Sequence, residues 1–142
     1  MKVQTQYLTG TALDWAAAIC VGGDVRTEFG VFLNRGHGFE YFSPSANPEQ
    51  AERIIKSKRI TIKLSDGYGG PAYKWAASVE SGHMATGPTK SIAALRCLVA
   101  SQLGDEVDVP EELVDTVSLI NAPVVQQLRE AQAHEAHRRP RN

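Results

Sequence analysis

Two long apolar segments, each ended by a glycine, constrain the fold of this 142-residue chain more than any other feature. The first predicts a helix over residues 10–20, with Thr9 as its N-cap and Gly22 as its stop. The second has apolar side chains at helical spacing and predicts a helix over residues 89–103 that ends at Gly104. The chain must therefore pack two helices against whatever structure lies between them.

The sequence between these helices is typical of short strands. Alternating apolar and polar residues predict one strand over 25–31, and the glycine-rich turn at 34–38 predicts a hairpin with residues 39–42. Pro48, with the preceding asparagine as its cap, predicts the start of a short helix that continues to Lys56. Further strands are predicted over residues 60–64, 72–79 and 84–86.

The connections between the strands after residue 60 are too short for the crossovers of a parallel sheet. The expected fold class is therefore α+β, an antiparallel sheet with helices packed on it in the manner of an αβα sandwich. Residues 1–113 are predicted to form one such domain. Residues 114–142 are predicted to add a helical extension and a basic tail, and the apolar side chains of this extension lead us to expect a homo-oligomer.

Composition and charge exclude several classes of protein. Apolar residues make up 42% and charged residues 22% of the chain, which is typical of a globular domain. The net charge of −1 argues against a nucleic-acid partner or an acidic membrane, and no apolar run reaches the ~18 residues of a membrane span. Two cysteines cannot form a disulfide framework, so we expect a reducing compartment, the cytoplasm.

The sequence lacks the motifs of well-known enzymes and metal sites. It has no P-loop, no nucleophile elbow, no zinc-protease helix and no Cys-x-x-Cys pair, so we expect no catalysis, no cofactor and no metal. His134 and His137 lie close together in a polar tail, without a third ligand nearby. Cys20 and Cys97 fall on the two long helices and are expected to be small buried apolar side chains rather than nucleophiles.

The start of the second long helix is the best-motivated binding site in the sequence. A helix N-terminus presents free N–H groups and the positive end of the helix dipole, and Lys90 adds a full charge there. Thr89 and Ser91 add hydroxyl groups, and Arg96 assists if its side chain lies back along the helix. The alternative is a capped helix with a solvated lysine, which has no ligand.

Residues elsewhere are predicted to complete the ligand site. Tyr41 or Trp75 is expected to stack on a ring of the ligand, and Lys74 is expected to assist with its phosphate. Ser43 and Ser45 are expected to supply hydroxyl contacts.

Three separated blocks of the chain resemble one protein family. The blocks are residues 8–16 with Cys20 and Gly23, residues 41–45, and residues 87–110. They resemble the opening, middle and closing blocks of the phage NinX-like proteins, and the middle and closing blocks are also similar to the phage αβα-sandwich domain family. The chain departs from the pattern at residues 47–50, where many relatives carry a Trp- and Gly-containing segment. The resemblance covers residues 1–113 and implies an accessory protein of tailed phages, of a kind that often acts against host defence.

The function expected from these features is binding without chemistry. We expect a phage accessory protein, with counter-defence as its role, that sequesters a small phosphorylated or nucleotide-type signalling ligand in the infected bacterial host. One alternative is a protein-interaction module that inhibits a host factor through the acidic run over residues 105–115 or through the terminal helix. If the acidic run has no such role, it is expected to be a solvated linker. A further alternative is a weak nucleotide-processing enzyme. The basic run over residues 53–63 is either a phosphate-binding face or a solvated helix end.

Overall fold

The computed structural model describes residues 1–28, 30–65 and 70–113. This part of the chain contains the helices α1 (Gly10–Val21), α2 (Pro48–Lys58) and α3 (Lys90–Leu103). All three predicted helices in this part are therefore confirmed. The predicted extension over residues 114–142, including His134 and His137, lies outside the described residues.

Eight short strands form three sheets in the described part of the chain. They are β1 (Lys2–Gln4), β2 (Asp24–Arg26), β3 (Phe32–Asn34), β4 (Phe39–Tyr41), β5 (Thr61–Leu64), β6 (Trp75–Ser78), β7 (Met84–Gly87) and β8 (Glu106–Asp108). The sheets have the strand orders β1–β8, β2–β3–β4 and β5–β6–β7. Every pairing is antiparallel, which confirms the predicted α+β class.

The central element of the core is α3. It packs on the β5–β6–β7 sheet, and α1 and α2 pack against it in turn. Leu95, Leu98 and Val99 in its middle are at most 1% exposed. The contact with β7 is close because Gly87 has no side chain: a Cβ there would lie 2.8 Å from the backbone nitrogen of Ala93. Among the described residues, no helix has the length and apolar character that crossing a membrane requires.

The helix ends follow local sequence signals. The side chain of Asn47 accepts hydrogen bonds from the first free N–H groups of α2, and Thr89 does the same for α3. Gly22, at φ +83°, ends α1 in a conformation that other residues rarely adopt. Thr9 occupies the N-cap position of α1 with extended backbone, but its hydroxyl makes no capping hydrogen bond.

Two strand predictions are wrong in extent. The strand predicted over 25–31 ends already at Arg26 with β2, and β3, which begins at Phe32 after the predicted stretch, pairs back on it. Gly30, at φ +117°, lies in the turn between them, where an extended strand cannot continue. The predicted strand 72–79 starts only at Trp75, because residues 70–73 form a turn of 3-10 helix.

The sheet formed by β1 and β8 was not predicted from the sequence. It joins the two ends of the domain, and Thr5 continues the pairing by donating its N–H to the carbonyl of Asp105 at 2.8 Å. The amino terminus forms an ion pair with the carboxylate of Asp108 at 3.0 Å, and the Lys2 ammonium forms one with the carboxylate of Glu106 at 3.9 Å. Residues 106–108 of the acidic run are therefore an ordered strand with cationic partners, and the interpretation of the run as a solvated linker is wrong there.

Candidate functional site

The start of α3 has the features of an anion site. The Thr89 hydroxyl accepts a hydrogen bond from the N–H of Ile92 at 3.1 Å and is used in capping the helix. The N–H groups of Lys90 and Ser91 precede the first hydrogen bond of the helix, from Ala93 to the carbonyl of Thr89, and have no acceptor in the described part of the chain. Two free amides and the positive end of the helix dipole therefore lie at the start of α3, where Ser91 also contributes its side chain.

The Lys90 ammonium is held close to an aromatic ring. It lies 4.8 Å from the centre of the Trp75 ring, and the Lys74 ammonium lies 6.0 Å from the same centre. The negative face of an indole attracts such cations. Trp75 is half-buried at the end of β6, so it positions the ammonium of an otherwise exposed lysine. The structure thus brings together four of the predicted ligand residues: Lys74, Trp75, Lys90 and Ser91.

A groove of about 340 Å³ opens beside these residues, between α2, β5, β6 and the start of α3. We call it the α2–α3 groove. Its apolar lining consists of Pro48, Ala51, Ile55, Ile60, Ile62 and Trp75, and its polar lining consists of Glu52, Lys90 and Ser91. The apolar wall suits a flat ring, the cationic end suits an anionic group, and a carboxylate such as that of Glu52 accepts hydrogen bonds from hydroxyls.

Tyr41, Ser43 and Ser45 do not line the α2–α3 groove, so the prediction that they join Lys90 is not supported by their positions. The Tyr41 ring packs against Phe32 in the β2–β3–β4 sheet, with ring centres 5.5 Å apart. The N–H of Ser43 donates to the side chain of Gln50 at 2.8 Å. Sequence reasoning missed this placement because the residues belong to a different sheet and its exit loop.

Ser45 has a structural partner instead. Its N–H and its hydroxyl donate to the two carboxylate oxygens of Asp14, at 2.8 and 2.9 Å, and tie the loop after β4 to α1. Asp14 is only 4% exposed. Burial raises the pKa of Asp14 from 3.8 to about 6, against the two hydrogen bonds from Ser45, which lower it.

Arg96 does not reach back to the start of α3. Its Nε donates to the carbonyl of Leu8 and its Nη1 to the carbonyl of Thr86, both at 2.9 Å. The guanidinium thus bridges the segment before α1 and the free edge of β7, on the side of α3 away from the groove lining. The side chain leaves the helix in a direction that the position in the sequence does not reveal.

Cys20 and Cys97 are buried free thiols, which confirms the prediction that they are small apolar side chains of the core. Burial raises the pKa of each thiol to about 11, so the reactive thiolate is disfavoured. Within residues 1–28, 30–65 and 70–113, no group of three His, Cys, Asp or Glu side chains is arranged to hold a metal ion.

A comparison with protein families matches residues 4–102 to the model described as Bacteriophage P22, NinX. The chain belongs to the NinX family. This match makes it a phage accessory protein and confirms the family resemblance of the three sequence blocks. No curated protein matches the chain.

The matched stretch of this NinX-family chain contains every residue that lines the α2–α3 groove. Sequence reasoning missed the α2 side of that groove. The signal was present, because Pro48, Ala51, Glu52 and Ile55 have the spacing of a single helix face. It is masked by the basic residues of the same helix, one of which lies beside this face: the Lys56 ammonium is 3.9 Å from a carboxylate oxygen of Glu52.

Proposed function

We propose that this phage accessory protein binds and sequesters a small phosphorylated, nucleotide-type ligand in the α2–α3 groove and does not react with it. The observation that carries the proposal is the Lys90 ammonium, 4.8 Å from the Trp75 ring, beside two free amides at the start of α3. These groups hold a phosphate, and the Lys74 ammonium, 6.0 Å from the centre of the same ring, supplies a second charge near Trp75.

The rest of the groove fits the remainder of such a ligand. Ile55, Ile62 and Trp75 supply an apolar wall for a base, and Glu52 accepts hydrogen bonds from sugar hydroxyls. Among the described residues that line the groove, none is a cysteine or a histidine. Binding by sequestration needs no such side chain. A role in counter-defence in the cytoplasm of the infected host follows if the ligand is a signal of host immunity.

The alternative of a protein-interaction module has less support. Glu106 and Asp108 of the acidic run lie in a paired strand and have Lys2 and the amino terminus as partners, which leaves less unbalanced charge for a basic host protein. The proposal of a homo-oligomer depends on the extension after Leu113 and is tested separately below.

Calorimetry of the full chain with linear and cyclic mononucleotides and dinucleotides tests the proposal. We expect a saturable heat with at least one of them. Lys90→Ala should weaken that binding about tenfold or more, because a charge-assisted contact to phosphate is lost. Lys63→Ala is the matched control. Lys63 follows Ile62 on β5, and successive side chains of a strand point to opposite faces of the sheet, so Lys63 lies on the face away from the groove that Ile62 lines.

The absence of heat with every nucleotide would overturn the proposal, and equal loss in both lysine variants would move the site elsewhere. Heating the complex releases the ligand, and chromatography of the released ligand separates binding from catalysis. An unchanged ligand supports sequestration, whereas a converted ligand identifies an enzyme.

A further inference from the structure

A second feature of the molecule lies on the other side of α3, where a cleft of about 580 Å³ opens between β7 and the β1–β8 sheet. We call it the Arg96 cleft. Its lining includes Arg96, Thr86 and Met84 on one side and Gln4, Gln6 and Asp105 on the other. Among the lining residues in the described part of the chain, none belongs to the α2–α3 groove, so the two sites are separate.

Arg96 is a buried cation that has no counter-ion within residues 1–28, 30–65 and 70–113. It is 6% exposed, and none of the ion pairs formed by the described residues involves it. Buried charges are ordinarily paired, because an unpaired one loses its hydration without compensation. Two backbone carbonyls compensate it in part, at Leu8 and Thr86. Burial lowers the pKa of Arg96 to about 10, which still leaves the group charged at neutral pH.

The guanidinium retains donors for a ligand. Its two hydrogen bonds use the N–H of Nε and one N–H of Nη1. The remaining N–H groups of the guanidinium have a fixed, planar arrangement that matches the oxygens of an oxyanion. The side-chain amide of Gln6 donates to the Oε1 of Gln4 at 2.8 Å, which leaves the amide N–H groups of Gln4 available on the same wall. Further N–H groups of Arg96 and Gln4 therefore have no acceptor among the described residues.

We propose that the Arg96 cleft binds the carboxylate or phosphate group of a small molecule, with the buried guanidinium as its anchor. Asp105 and Glu106 also line the cleft, and Glu106 has Lys2 3.9 Å away as a partner. These carboxylates favour a ligand that carries hydrogen-bond donors, such as hydroxyls or an ammonium, next to its oxyanion. This inference does not rest on the nucleotide proposal for the α2–α3 groove.

The test is an NMR titration of the ¹⁵N-labelled full chain with inorganic phosphate and, separately, with acetate. We expect saturable shifts of the Arg96 Nε–H signal and of the amides of Gln4 and Thr86. The anion that saturates at lower concentration identifies the preferred group. Shifts that do not saturate with either anion, or that spread evenly over surface lysines, would overturn the proposal.

Arg96→Met removes the guanidinium and should abolish the saturable shifts of the Gln4 and Thr86 amides; saturation that persists in this variant would overturn the proposal. Two further variants keep the proposal falsifiable if Arg96→Met does not fold. Asp105→Asn removes a negative charge from the lining and should tighten binding by about two- to fivefold, the size of a water-screened interaction between unit charges a few ångströms apart. Glu40→Gln removes the same charge from β4, outside the cleft, and should leave the affinity unchanged. Equal effects of the two variants would refute a site at Arg96. Lys90→Ala should not alter these shifts, so failure of one site is distinguishable from failure of the other.

Discussion

Asp14→Asn is the substitution whose effect the structure predicts in most detail. The carboxylate lies in α1, 4% exposed, and accepts two hydrogen bonds from Ser45. Burial raises the pKa of Asp14 from 3.8 to about 6, even though the Ser45 hydrogen bonds oppose that shift. The folded protein therefore holds a proton on Asp14 over a pH range in which the unfolded chain has already lost it.

The sign and size of the effect follow from this pKa. A pKa shift of about two units corresponds to about 3 kcal/mol, at about 1.4 kcal/mol per unit. The folded state is more stable by this amount when Asp14 is protonated in the folded and unfolded states than when it is ionised in both. Because the folded pKa is raised, this contribution is fully present below about pH 4 and is lost as the pH rises through about 6. Between about pH 7.5 and about pH 4.5 the change is about 2 kcal/mol.

Urea denaturation of the wild-type chain and of Asp14→Asn at these two pH values measures the effect. On acidification, the free energy of unfolding of the wild type should gain about 2 kcal/mol relative to the variant, because asparagine does not titrate. Ser45→Ala removes the hydroxyl donor and should raise the pKa of Asp14 further, so its pH profile should move to higher pH. Parallel pH profiles for wild type and Asp14→Asn would show that the carboxylate is not desolvated and would refute the reasoning.

Three further predictions concern the core and the assembly. Gly87→Ala should lower the free energy of unfolding by about 1–3 kcal/mol, since its Cβ would lie 2.8 Å from the backbone nitrogen of Ala93; an unchanged urea midpoint would contradict this. Cys20 and Cys97, with pKa values raised to about 11, should resist iodoacetamide in the folded protein and react in urea, and mass spectrometry that finds native alkylation would contradict their burial. Truncation after Leu113 should reduce the number of subunits measured by light scattering, and an unaltered number would exclude the extension as the oligomer contact.

The helices were predictable from the sequence because their signals are local. The asparagine before Pro48 and the threonine before Lys90 accept hydrogen bonds at the helix starts where the sequence placed them. The β1–β8 pairing was not predictable in this way. Lys2 and Asp108 are partners across almost the whole domain, and strands of three residues carry too little periodicity to be recognised without each other.

The candidate site was predictable at the start of α3 and at Trp75, but not on its α2 side. Lys90 and Ser91 follow from the helix start alone, and Trp75 joins them because β6 pairs with β7, whose last residue, Gly87, lies opposite it. The apolar wall from α2 depends on how that helix packs against α3, which no single segment encodes. The sequence predicts Ser45 as a hydroxyl contact for the ligand, whereas its N–H and its hydroxyl both donate to the buried carboxylate of Asp14.

The two cations of α3 explain both the main success and the main error of the sequence interpretation. Lys90 and Arg96 are six positions apart, which corresponds to about 9 Å along the helix axis and to about two thirds of a turn between their directions. The two side chains therefore lie on different sides of the helix. Lys90 lies towards β5 and α2, and Arg96 lies towards the edge strand β7. A single anion cannot be shared by both sides when the helix between them is as deeply buried as α3. The two anion sites proposed for this NinX-family chain are therefore separate, and a ligand with two distant anionic groups would have to pass around the start of α3 to reach both.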